Sequence, residues 1–167
     1  MFDLLIREGL VVAPDGQLLP LDIGVSAGCI AALAMNLPVE AGQVISAAGC
    51  LVLPGAIDLH THLRSPQGEA GLFTGETASA VAGGVTLVGD FAYPAGSRFE
   101  LDFPAKRERL AAEALCDFCL HTVARSPEHL AAAATRTVKV FFSASGLGAR
   151  TEGALALLQQ AVAAGHQ

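Results

Sequence analysis

Along residues 1–53 the apolar positions come in short runs, and no helical period persists. The segments Asp3–Ile6, Leu10–Val12, Leu18–Val25, Cys29–Leu33, Gln43–Ile45 and Cys50–Leu53 are parted by Asp15-Gly16, Ala27-Gly28, Gly42 and Gly49. Runs of this length with glycine-bearing turns predict strands joined by hairpins in a small sandwich. From Pro54 the rhythm changes to strand followed by helix. Ala56–His62 reads as a strand, and Thr74–Ala82 as a helix stopped by Gly83-Gly84. Val85–Phe91 is the next strand, and Asp102 opens a helix with Pro104 in its first turn that runs to Leu115. Phe118–Val123, a short helix from Ser126 to about Ala134, a strand Val138–Phe142 and a helix from Thr151 to Gly165 complete the pattern. Strands that alternate with helices predict a parallel sheet covered by helices. The expected division is a β-rich piece over 1–53 and four βα units over 54–167.

Composition narrows the class. Apolar residues make up 52% of the 167 and charged residues 16%, ample for a core and too apolar for disorder. No apolar run reaches the ~18 residues a membrane helix needs. Asp3 and Arg7 interrupt the terminus where a signal peptide would be basic and then apolar. These features predict a soluble, cytoplasmic protein. The net charge of −6 is spread without blocks, and the absence of a basic stripe argues against nucleic acid as a partner. Four cysteines are too few and too irregular for a disulfide framework. Cys116 and Cys119 have the spacing of a metal or redox pair. On a strand, however, positions three apart face opposite ways, so two reduced structural thiols are expected.

The densest chemistry lies in Pro54-Gly55-Ala56-Ile57-Asp58-Leu59-His60-Thr61-His62. Alternation on a strand would project Asp58, His60 and His62 together, with Ile57, Leu59 and Thr61 packed on helices behind. Two imidazoles at a strand's C-terminal end can chelate one divalent ion, with Asp58 a layer beneath to orient a ligand. Alternating polar residues also occur on solvated strands, so the motif alone does not decide. The second signal is Lys139 within Val138-Lys139-Val140-Phe141-Phe142, one of only two lysines in the chain. An edge-strand lysine that snorkels to water would satisfy that pattern. The alternative is a buried amine of lowered pKa that takes up carbon dioxide, giving an anionic ligand able to bridge two metal ions. Two ions ~3.5–4 Å apart bring a shared water's pKa into the neutral range.

Pro54-Gly55-x-x-Asp58-x-His60-x-His62, Gly83-Gly84-Val85-Thr86 and Val138-Lys139-Val140-Phe141 occur in order, and together the sequence resembles the cyclic amidohydrolases: dihydroorotases, hydantoinases/dihydropyrimidinases and allantoinases. The resemblance implies an α/β fold, the first half of a metal-dependent (β/α)8 TIM barrel preceded by part of a small β-sandwich domain. It implies hydrolysis of the C–N bond of a small cyclic amide, and a homo-oligomer with no membrane or nucleic-acid partner. It makes His60 and His62 ligands of one Zn2+. Lys139 becomes the carboxylated lysine bridging two zinc ions. His62-Leu63-Arg64 is similar to the dihydroorotase pattern, in which the arginine holds a substrate carboxylate, a task that suits a guanidinium fork.

Other stretches point to a different branch. Gly89-Asp90-Phe91-Ala92-Tyr93-Pro94 and Cys116-Asp117-Phe118-Cys119-Leu120-His121 look more like hydantoinases, and Asp90-Phe91-Ala92-Tyr93 lacks the asparagine common in dihydroorotases. Hydantoinases usually carry a tyrosine five residues after the lysine, where this chain has Ala144. The substrate branch stays open. The family also needs two histidines from the fifth and sixth strands and a catalytic aspartate from the eighth. At ~31 residues per βα unit, 54–167 suffices for a little under four units. The expectation is therefore a fragment, inactive alone, with three metal ligands and no catalytic proton carrier; a non-catalytic half-barrel remnant is the alternative. His166, His121 and His129 are expected, respectively, at the surface after a helix, hydrogen-bonded within the sheet, and solvated on a short helix.

Overall fold

A computed structural model describes residues 1–63, 71–95, 101–142 and 151–167. It divides into two compact units, Met1–Pro54 and Gly55–Gln167.

The first unit is built of strands: β1 (Phe2–Arg7), β2 (Leu10–Val12), β3 (Leu18–Pro20), β4 (Asp22–Ser26), β5 (Cys29–Ala34), β6 (Ala41–Ser46) and β7 (Leu51–Val52). They form one sheet of order β5-β4-β1-β6 and another of order β3-β2-β7. The expected hairpins β2–β3 and β4–β5 are antiparallel. In the second, Ala27 and Gly28 both take positive φ, as the tight turns that match strand twist require. β1–β6 and β2–β7 are instead parallel, so the unit is not made of hairpins alone. The run Leu18–Val25 is also not one strand. Pro20 ends β3, the Leu21 N–H turns back to the Leu19 carbonyl at 2.9 Å, and β4 leaves for the other sheet. Leu5 is the fully buried centre of β1. Asp22 accepts hydrogen bonds from Arg7 Nε, the Glu8 N–H and the Leu37 N–H at 3.0–3.3 Å.

The second unit alternates β8 (Ala56–Asp58), α1 (Leu72–Ala82), β9 (Val85–Ala92), α2 (Phe103–Glu113), β10 (Asp117–Ala124), α3 (Pro127–Ala131), β11 (Val138–Val140) and α4 (Thr151–Ala163). Its four strands are parallel and lie in chain order. Right-handed crossovers between sequential neighbours leave successive helices on one face. The contacts of α1 with α2 and of α3 with α4 accord with this. A doubly wound sheet would reverse its strand order part-way; this one curls as a half-barrel does. Local chemistry sets the helix starts. Asp102 caps α2 by accepting the Ala105 N–H, and Ser126 caps α3 by accepting that of His129.

Between strands and helices lie Leu63, Phe73, Val88, Leu110 and Leu120, and a second cluster of Ala124, Leu130, Leu157 and Ala161. After α4 the chain returns to the sheet. The Gln167 N–H donates to the Arg136 carbonyl at 2.7 Å, and the Gln167 carbonyl accepts the Val138 N–H at 2.9 Å. This pair of bonds is the parallel bridge pattern, centred on Thr137 at the start of β11.

Candidate metal centre

β8 is shorter than its sequence pattern predicts. The ladder stops at Asp58, whose carboxylate accepts the His60 N–H at 3.1 Å in an Asx turn. Asp58 therefore shapes the turn through the His60 backbone. Ile57 and Leu59 are not packed on helices: they are 64% and 55% exposed, because α1 covers β9 and β8 is the first strand of the sheet. Beyond the turn, Thr61 returns to β9, donating to the Gly89 carbonyl through its N–H at 2.7 Å and its hydroxyl at 2.9 Å. Gly89 permits this approach, since a Cβ there would stand 2.7 Å from the Leu59 Cα and carbonyl oxygen.

Strand register then gathers the ring-bearing residues. Phe91 of β9 pairs with His121 of β10, and Val123 of β10 pairs with Lys139 of β11. The Phe91 ring stands 4.9 Å from that of His60, 5.2 Å from His62 and 5.4 Å from His121, centroid to centroid. The two imidazoles of the motif are 5.4 Å apart. Lys139 Nζ lies 3.3 Å from His60 Nε2 and 5.1 Å from the Phe91 ring centre. His60, His62 and Lys139 thus converge from two strand ends. Lys139 is half-buried rather than enclosed. Burial is the leading influence on His62 and lowers its pKa, leaving a neutral imidazole with a free lone pair at neutral pH. Arg64 and Ala144 fall outside the described residues.

The other histidines sort differently. His121 is held by Thr137 Oγ1 at 2.7 Å on Nδ1 and by the Leu59 carbonyl at 3.2 Å on Nε2, as expected of a hydrogen-bonded sheet residue. His166 is half-buried, with Nδ1 3.2 Å from the Thr135 carbonyl, because the terminus folds back onto the sheet. His129 is also half-buried, not solvated, since α3 packs on β10. Cys116 and Cys119 are free thiols, and burial raises the pKa of both, as befits structural cysteines. Among the described residues no three His, Cys, Asp or Glu side chains converge as a metal would require.

No family model matches the chain. The dihydroorotase of Bacillus caldolyticus is 43% identical over 86 residues, which cover 50% of this chain and 20% of that protein. The D-phenylhydantoinase of Escherichia coli (strain K12 / DH10B) is 33% identical over 131 residues, covering 75% of this chain and 28% of that one. Among solved structures, a D-hydantoinase superposes with TM-score 0.76 at 25% identity over 99% of this chain and 38% of its own. The L-hydantoinase (dihydropyrimidinase) from Arthrobacter aurescens gives 0.73 at 26% identity, over 98% and 39%. These relatives are all cyclic amidohydrolases, and the chain is similar to them in sequence and in fold. It matches their N-terminal portion and spans well under half the length of each relative named.

One pair in this chain escaped the sequence reading. Lys106 of α2 and Asp90 of β9 are each 1% exposed, and Lys106 Nζ meets Asp90 Oδ2 at 2.6 Å. Lys106 also donates to the Phe91 carbonyl at 2.8 Å, while Asp90 Oδ1 accepts the Phe91 N–H at 2.7 Å. Burial raises the Asp90 pKa against the opposing pull of the Lys106 charge. The one available signal was alternation: Val88 and Asp90 share the helix-facing side of β9, which makes a carboxylate there anomalous.

Proposed function

We propose that this chain carries the first half of a zinc-dependent site that hydrolyses the C–N bond of a small cyclic amide in a dihydroorotase-like enzyme. The supporting observation is the convergence of Lys139 Nζ on His60 Nε2 at 3.3 Å, with His62 alongside. The donors fit the metal: two imidazoles and a lysine whose carboxylated form offers two oxygens are a borderline set that suits zinc. Bound metal would supply Lewis acidity to activate water and polarise the ring carbonyl.

The chain's own residues do the rest of what this half can do. His62, whose pKa partial desolvation lowers, presents a neutral ring's lone pair. The Lys139 amine adds carbon dioxide, releasing one proton and gaining a charge that can be shared between two ions. Phe91 excludes water from one side of the cluster. Arg64 is proposed to hold a carboxylate on the substrate. No residue of this chain is assigned the catalytic proton transfer, so we propose that the 167-residue chain is inactive by itself. The parallel bridge to Gln167 supports the barrel reading, because it lies where a fifth strand would pair with β11. The proposed setting is a cytoplasmic homo-oligomer; among the described residues no helix is long and apolar enough to cross a membrane.

A hydantoinase or dihydropyrimidinase substrate is the second reading, favoured by the longer match to D-phenylhydantoinase and by the superposed structures. In an enzyme carrying this portion, Arg64→Ala raises KM for an anionic ring and spares neutral hydantoins under the first reading. It affects neither under the second. The metal proposal is tested by equilibrium dialysis of the purified chain against zinc. Bound zinc is expected to fall at least 10-fold in Lys139→Ala and His60→Ala. Equal zinc in all three proteins would refute the metal site and favour a non-catalytic remnant. A carbamate signal after labelling with 13C-bicarbonate, absent in Lys139→Ala, tests the carboxylation.

A further inference from the structure

We propose that Lys106, acting through Asp90, is a positioning residue for the His60, His62 and Lys139 cluster. The inference rests on the metal-site reading but concerns a different layer of the fold. Lys106 belongs to α2, on the helix side of the sheet. It reaches the three cluster residues through one peptide unit. Its ammonium donates to the Phe91 carbonyl at 2.8 Å and lies 2.6 Å from Asp90 Oδ2. Asp90 accepts the Phe91 N–H at 2.7 Å and a further hydrogen bond from the Leu63 backbone.

The pair therefore grips Phe91 at both its N–H and its carbonyl, and also ties down the residue that follows His62. What it grips is the hub of the cluster. The Phe91 ring lies about 5 Å from the rings of His60 and His62 and from Lys139 Nζ. Rotation at Phe91 would release all three contacts together. A buried ion pair is a poor way to gain stability, since apolar pairs of similar volume commonly do as well or better. Its useful property is direction. Two charged groups with fixed hydrogen bonds define one backbone geometry, whereas an apolar contact tolerates several.

The test uses the intact 167-residue chain. Ring 1H–13C signals of His60 and His62 are recorded without metal, where their positions report the Phe91 ring current. Zinc affinity is measured separately by titration calorimetry. Lys106→Met and Asp90→Asn are the probes, and Leu110→Ala on the same helix is the stability control, because Leu110 is fully buried and apolar, so its truncation removes packing without removing a charge. The expected result is displaced His60 and His62 ring signals in both probes, with zinc bound roughly 10–100-fold more weakly, as removing supporting partners of metal ligands typically gives. Leu110→Ala should lower stability and leave both readouts unchanged. If Lys106→Met does not fold, Asp90→Asn carries the test. Unmoved ring signals in the folded probes, or equal displacement in Leu110→Ala, would overturn the proposal. If the unaltered chain takes up no zinc, the metal-site reading fails, and the metal-free ring signals still decide whether Lys106 positions the histidines.

Discussion

Replacing Lys106 with methionine keeps the length and most of the apolar volume of the side chain and removes its charge. Two costs follow. The first does not depend on pH: the Phe91 carbonyl loses its 2.8 Å donor inside the core, and an orphaned buried acceptor costs about 1–3 kcal/mol. The second is the charge left on Asp90, 1% exposed and without its cation. That cost has a ceiling, because the carboxyl can always take a proton. Holding a proton at pH 7 on a group whose ordinary pKa is 3.8 costs at most about 4.4 kcal/mol at 1.36 kcal/mol per pH unit. At pH 4.5 the same ceiling is about 1 kcal/mol. Burial already raises the Asp90 pKa in the folded state, and removing Lys106 raises it further. For a carboxyl raised in this way the folded state binds the extra proton, so stability is highest in acid and falls as pH climbs through the folded pKa. We expect Lys106→Met to lose about 3–5 kcal/mol at pH 7, in the range for breaking one side of a buried pair, and about 1–3 kcal/mol at pH 4.5. The assay is urea unfolding followed by far-ultraviolet circular dichroism across this range, with Asp90→Asn/Lys106→Met expected to abolish the pH dependence of the gap. A deficit that stays constant with pH, or one below about 1 kcal/mol at pH 7, would refute the reasoning.

Gly89→Ala would place a Cβ against the Leu59 backbone, and we expect a loss of about 1–3 kcal/mol together with weaker zinc uptake, read by chemical denaturation and dialysis. His121→Phe should cost about 1–3 kcal/mol through its bonds to Thr137 and Leu59 yet leave bound zinc unchanged; loss of zinc would make His121 a ligand. Cys116→Ser/Cys119→Ser should also leave zinc unchanged, since both thiols are held protonated by burial. In the metal-free chain the His62 ring should titrate below 6.5 by NMR. Its contribution to stability should accordingly be complete above that value and be lost as pH falls through the lowered folded pKa.

Elements whose ends carry local chemistry were legible in the sequence. Asp102 and Pro104 announce α2, Gly83-Gly84 closes α1, and the apolar run containing His121 gives β10 to within a residue at each end. Elements whose limits depend on distant partners were not. At Asp58 the apolar–polar alternation continues unbroken through Leu59, His60 and Thr61 and hides the Asx turn, in which the aspartate carboxylate captures the amide two residues ahead and ends the ladder. The exposure of Ile57 and Leu59 is non-local, since apolar alternation records which face could be covered and not whether a helix lies there. Lys106 is the clearest case. In Ala105-Lys106-Arg107-Glu108-Arg109 it reads as one more solvated helix cation, and its burial follows only from the register that sets α2 across Asp90.

That register also explains why a His-x-His motif on a strand is not yet a metal site. Residues two apart on a straight strand are separated by about 6.6 Å and rise in parallel from the sheet. Here the Asx turn at Asp58 takes the chain out of the ladder before the first histidine, and the hydrogen bonds from Thr61 to Gly89 bring it back at a new angle. The rings end 5.4 Å apart at a 65° interplanar angle, turned across each other instead of standing parallel. Lys139 arrives from β11, three places along the sheet from β8, because β9, β10 and β11 are parallel and aligned so that Phe91, His121 and Val123 lead across the sheet to it. The motif supplies donors of the right chemistry. The convergence comes from one broken ladder and one unbroken register, and disturbing either should separate His60, His62 and Lys139 without altering any of the three.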